Sequence, residues 1–171
     1  MSQEQKNITV SVNFNNLREE FTGNSIEVLK AVNDFISKQI PAFDLALKIS
    51  VNYSINDLIN MFGNFVKITP EGPKVWKNEQ KLSDKDVVAL QLIASKISYE
   101  MGKTPAPSLS PTEIKVATGL NPKSISSRIS EMAKWGYVER DTSEQGVVYK
   151  ITTQGVYWLD QILSKKITKS S

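Results

Sequence analysis

The sequence contains neither cysteine nor histidine. Without cysteine there is no disulfide scaffold and no thiolate, either as a nucleophile or as a soft metal ligand. Without histidine the chain lacks the commonest transition-metal ligand and the side chain that ordinarily changes charge near pH 7. Catalysis by carboxylates or lysine stays chemically open. The residues nevertheless offer no glycine-rich phosphate loop, no Asp/Glu cluster at metal-ligand spacing and no serine set beside a base. They point away from an enzyme, and away from any cofactor or metal.

Long hydrophobic runs are missing too. Stretches such as Val87-Val88-Ala89-Leu90 and Ile162-Leu163 fall far short of the roughly 20 apolar residues a membrane span needs. The first residues, Met1-Ser-Gln-Glu-Gln-Lys6, lack the apolar core of a signal peptide, so the expected compartment is the cytoplasm. An apolar share of 40% and a charged share of 23% are those of a globular chain rather than a disordered one. The net charge of +3 is unevenly spread. Residues 1–76 hold seven basic and eight acidic side chains; residues 77–171 hold fourteen and ten. A near-neutral half joined to a basic half suits a partner-binding or sensing module linked to a module for a polyanion.

The first half reads as a small α+β domain over residues 1–76. Ile8, Val10, Val12 and Phe14 alternate with polar residues, the period of a half-buried strand, and Asn15-Asn16 closes a hairpin onto Leu17–Thr22. Asn24 with Glu27 three residues later is a capping box, opening a helix whose apolar stripe is Ile26, Leu29, Val32 (or Ala31), Phe35 and Ile36. Pro41 ends it. A second helix is expected over residues 42–49 and a third from Ser54, with Asp57 at its third position. Phe65–Ile68 and Lys74–Trp76 flank the turn formers Pro70-Glu-Gly-Pro73, suggesting a second hairpin. Residues 77–82 form a polar connector.

The second half, residues 83–166, is more explicit. Ser83 with Asp86 caps a long helix running to about Met101, followed by a Pro/Ser loop to Leu109. Ser110-Pro-Thr-Glu113 combines N-cap, first-turn proline and capping-box acid, and Gly119 ends that helix. Asn121-Pro122 starts the next at once, and it closes at Trp135-Gly136. The pattern then changes to strand-like Tyr137–Arg140 and Val147–Ile151 around a loop at residues 141–146. Thr152 or Thr153 caps a last helix carrying Val156, Leu159, Ile162 and Leu163, and residues 167–171 read as a frayed tail.

Three stretches carry a family likeness: Leu109-Ser-Pro-Thr-Glu-Ile114, then Ser124-Ile-Ser-Ser-Arg-Ile-Ser-Glu-Met-Ala-Lys-Trp-Gly-Tyr-Val-Glu-Arg140, then Tyr149-Lys-Ile-Thr-Thr-Gln-Gly155. Over residues 83–166 the chain resembles the winged helix-turn-helix family, particularly MarR- and ArsR-like regulators of bacteria and archaea. The resemblance implies an α+β chain: a small N-terminal α+β domain followed by a C-terminal winged helix-turn-helix domain. It also implies binding of double-stranded DNA, as a transcriptional regulator or a chromatin-like, nucleoid-associated factor. In such proteins the second helix of the motif enters the major groove and the hairpin, or wing, follows the backbone. The family's twofold operators further imply a homodimer, with the N-terminal domain supplying dimerisation, an effector site or a protein partner site.

On helix 122–135, Ile125, Ile129 and Met132 fall within about 60° of one another and must face the core. Ser127 then points outward with Lys123, Ser130 and Lys134 beside it, and Ser124, Ser126 and Arg128 on the flanks. The four serines are short enough for close backbone approach, and their hydroxyls can bond phosphate or base edges. Arg128 alone offers a bidentate contact to guanine. With no Asn or Gln on this face, phosphate-dominated binding with steep salt dependence is expected. Arg140 and Lys150 on the wing, and Thr112 and Lys115 on the preceding helix, are further backbone contacts. Asp141 and Glu144 near the wing tip argue against deep minor-groove insertion.

Trp135, Tyr157 and Trp158 read as core or dimer contacts rather than base-stacking platforms. The long helix at 84–101 has so wide an apolar surface (Val87, Leu90, Ala94, Ile97 and Met101, with Val88, Leu92 and Tyr99 beside them) that it suits either burial within one domain or pairing with a second copy. The acidic wing tip and low net charge keep an alternative in view, a winged helix used as a protein-protein interaction module in transcription or cell-division machinery.

Overall fold

The structure, a computed structural model, describes residues 7–40, 52–76 and 81–169. The chain is α+β and forms two compact units, Met1–Val51 and Asn52–Ser171. Among the described residues no helix is long and apolar enough to cross a membrane.

In the first unit, β1 (Ile8–Phe14) and β2 (Leu17–Gly23) pair antiparallel, with Phe14 opposite Leu17. Asn15 turns the chain at φ +53°, a left-handed conformation that asparagine tolerates better than most residues. Val10, Val12 and Phe14 are half-buried and their polar neighbours exposed, as the alternation predicts. Helix α1 (Ser25–Gln39) starts at Asn24, whose side chain accepts from the amides of Ile26 and Glu27, both at 3.0 Å. Its inward arc differs from the stripe read in the sequence. Val28 is the buried residue, Val32 and Phe35 follow one and two turns on, and Phe35 meets Phe21 with ring centroids 5.8 Å apart. Ile26 is 78% exposed and Leu29 is exposed as well. Both lie off the Val28–Phe35 arc, so the two-stranded hairpin cannot cover them. The helix expected over residues 42–49 lies outside the described residues.

The second unit is organised around one helix. Helix α2 (Ile55–Phe62) opens with a capping box between Ser54 and Asp57. Those hydrogen bonds, first the Ser54 hydroxyl's, hold the exposed Asp57 carboxyl below its usual value. Strands β3 (Val66–Thr69) and β4 (Gly72–Val75) join through the two-residue turn Pro70-Glu71, tighter than the four-residue turn expected. Then come α3 (Asp84–Glu100), α4 (Pro111–Thr118), α5 (Pro122–Lys134), β5 (Val138–Ser143), β6 (Gly146–Ile151) and α6 (Thr153–Lys169).

The unit boundary therefore falls at residues 51/52, not at 76/77 as the polar connector suggests. The cause is the girth of α3. Every residue from Asp86 to Ser95 is buried, so the helix is covered on all sides. Leu58, Phe62, Phe65 and Val66 belong to the same core cluster as Val88, Leu92 and Ile93, and so do Ile114, Ile125, Met132, Ile151 and Leu159. Residues 52–76 thus cover α3 surface that α4–α6 leave open. Fully burying side chains of this kind stabilises by about 1.5–3 kcal/mol each. The apolar face that suited a second copy is consumed inside the unit, apart from the exposed Tyr99 and Met101 at its end.

Helix α6 runs through Lys169, so residues 167–169 of the tail expected to fray are helical, and residues 170–171 lie outside the described residues. Lys166 pairs with Asp86, a buried carboxylate that also accepts from the Ser83 amide at 2.8 Å, tying α6 to the start of α3. Thr152 is the cap of α6: its hydroxyl accepts from the Gly155 amide at 3.0 Å and donates to the Gly136 carbonyl at 2.6 Å. Gly155 passes so near the Tyr137 backbone that a Cβ there would stand 2.1 Å from the Tyr137 carbonyl oxygen. Backbone cannot yield as a flexible side chain does. Gly155→Ala is expected to cost about 3 kcal/mol or more, read as a lower urea midpoint with an unchanged m-value.

Candidate functional site

The α4–α5 pair is set by local chemistry. The Ser110 amide donates to Glu113 at 2.7 Å, Pro111 occupies the first turn of α4, and Gly119 ends the helix at φ +72°. Asn121 accepts from the Lys123 amide at 2.9 Å and Pro122 opens α5. The link is three residues long, Gly119-Leu120-Asn121, so α5 starts almost where α4 stops.

Ile125, Ile129 and Met132 are buried and fix the rotation of α5 as the sequence predicts. Lys123, Ser126, Ser127, Ser130 and Lys134 are consequently exposed. Lys123 and Lys134 are eleven residues apart, three turns plus about 20°, so they share a face and stand about 16 Å apart along the axis. Neither makes a side-chain hydrogen bond or ion pair among the described residues.

Two of the three flanking candidates are engaged elsewhere. Ser124 donates to Asp84 at 2.5 Å. Arg128 donates to one oxygen of Glu131 at 2.8 Å, while Lys85 from α3 donates to the other, also at 2.8 Å. The Lys85 hydrogen bond, reinforced by Arg128, holds the Glu131 carboxyl below the usual carboxylate range. A depressed folded-state value means that the ionised clamp persists above the unfolded value and is lost as pH falls through the folded one. Only Nη1 of Arg128 is held by Glu131, so the guanidinium keeps other donors, but its charge is largely offset before it meets any external group. Its partner was legible, because Arg and Glu at i, i+3 are neighbours on a helix. Lys85, 46 residues away, was not.

The β5–β6 hairpin is longer than the sequence suggested. Pairing runs from Val138–Ile151 to Ser143–Gly146, so the expected loop at 141–146 shrinks to the turn Glu144-Gln145. Gly146 at φ +116° makes that turn possible. Leu109 and Tyr149 exchange backbone hydrogen bonds of 2.8 and 2.9 Å, fastening the hairpin to the residue before Ser110. Arg140 is exposed, but Lys150 pairs with its cross-strand neighbour Glu139 at 3.4 Å. Together with Asp141 and Glu144, this leaves the hairpin without a positive excess.

Thr112 is exposed on α4, yet it lines a cleft that no α5 residue borders, so the structure does not group it with the serine–lysine row. Trp158 is half-buried and stacks on Tyr137 with centroids 4.6 Å apart; Lys85 lies 5.7 Å from its ring. Trp135 and Tyr157, expected in a core or dimer contact, are exposed in the unit. No protein-family model matches the sequence, and no curated protein is significantly similar to it.

Proposed function

We propose that α3–α6 form a winged helix-turn-helix that binds double-stranded DNA, with α5 in the major groove and β5–β6 along the backbone. The observation that carries this reading is the exposed row on α5: two lysines at its ends, unpaired among the described residues, with short serines between them. A spacing of about 16 Å lets them reach phosphates on both sides of a groove about 12 Å wide, while serines let the helix come close. Hydroxyls and ammonium groups hold phosphate well and discriminate bases poorly, so binding is backbone-led. The test is fluorescence anisotropy of the full chain with a mixed-sequence duplex over a salt series. Log affinity should fall linearly with log salt, by about 0.9 for each phosphate contact. Affinity that ignores salt would move the assignment to the second reading, a protein-interaction module, which the acidic hairpin favours.

The Arg128 clamp gives a separate outcome. Glu131→Gln removes a negative charge from α5 and releases a guanidinium, so duplex affinity at low salt should rise by a factor of about two to five. Unchanged affinity in that variant would show that Arg128 takes no part.

A further inference from the structure

A cleft of about 1190 Å³ lies in the second unit, away from the α5 row. Its walls are the β3–β4 turn, the loop before α4, the outer side of α4 and the tip of the β5–β6 hairpin; α3 contributes Gln91 and Ser95. Gln91 is 1% exposed. Its Nε2 donates to the Pro73 carbonyl at 2.8 Å, but its Oε1 has no hydrogen-bond partner. Ser98 Oγ is the other buried side-chain atom without a partner among the described residues, but only Gln91 lines the cleft, where a ligand's donor can meet it.

The rest of the lining defines that donor. Pro73, Pro105, Leu109, Val116 and Val148 make the surface largely apolar, and Val116 is 81% exposed despite being aliphatic. The charged groups are Glu71, Glu113 and Glu144 against Lys74, a negative excess. The Thr69 hydroxyl keeps the Glu71 carboxyl below its usual value, hence ionised at neutral pH. Such a rim repels phosphate and carboxylate and attracts cations.

We propose that this cleft is a binding site for a small organic cation, an amine or amidinium on an apolar body, which donates an N–H to Gln91 Oε1 and is drawn in by the rim carboxylates. The site uses none of the α5 row and its charge has the opposite sign, but it shares Thr112 and the hairpin tip with the proposed DNA contacts, so its test is read without DNA.

Benzamidine is the probe, with benzoate and benzyl alcohol as controls of the same ring size. Each is titrated at millimolar concentration into the isotope-labelled full chain and followed by NMR. Benzamidine should shift the Gln91 side-chain amide and the Val116 methyls saturably, and benzoate should bind at least about tenfold more weakly. Gln91→Leu keeps the volume but removes the acceptor, and should weaken benzamidine about tenfold. Should that variant misfold, Glu71→Gln/Glu144→Gln changes only exposed side chains and should weaken benzamidine while leaving benzyl alcohol unaffected. Equal binding of benzamidine and benzoate, no shift at Gln91, or full affinity in a folded variant would each overturn the assignment.

Discussion

Truncating Phe62 to alanine is expected to destabilise all of residues 52–171 by about 3–5 kcal/mol, and to melt α5 in the same transition. Phe62 is wholly buried at the end of α2 and belongs to the cluster that also holds Ile125, Ile129 and Met132. A cavity on one side of α3 removes contacts from a helix that the other side needs as its floor. The check is urea unfolding followed together with native-state hydrogen exchange at the Ile129 and Met132 amides. One cooperative unit requires the exchange free energies in α5 to fall by as much as the global stability. Were residues 52–76 a separate domain, the loss would be confined to α2 and β3–β4, with α5 protection unchanged.

This is also where sequence reasoning reached its limit. Helix starts were legible because a cap is local: Asn24 with Glu27, Ser54 with Asp57, Ser83 with Asp86 and Ser110 with Glu113 all form the reciprocal bonds their spacing implies. The outward row of α5 was legible because Ile125, Ile129 and Met132 leave one rotation open. The partners of α3 were not. A helix with so wide an apolar surface announces that it will be buried and says nothing of which segments bury it. The polar residues at 77–82 look like a domain linker whether or not the flanking segments share a core. On α1 the periodicity fits two overlapping arcs, and only the hairpin carrying Phe21 selects Val28 over Ile26. The cleft is less accessible still, since four segments remote in sequence enclose it and its telling feature is an unpartnered acceptor.

For the proposed interface the structure alters which residues should matter most. Arg128 looked the strongest candidate from its chemistry, but in the free chain it spends its charge on Glu131. Lys150 is likewise paired with Glu139. Lys123 and Lys134 remain as cations held on a rigid helix without partners among the described residues, and each desolvates nothing but itself when it meets a phosphate. Two lost phosphate contacts correspond to a salt slope smaller by about two, and to an affinity loss between about tenfold and a hundredfold near 0.1 M salt. Folding should be unaffected, because both side chains are exposed and neither supports a neighbour.

The Lys123→Ala/Lys134→Ala variant, compared with the unaltered chain on one duplex across one salt series, is therefore the decisive measurement. The proposed α5 interface predicts that loss of affinity together with the shallower slope, at an unchanged unfolding midpoint. Equal affinity and equal slope in the two proteins would contradict it.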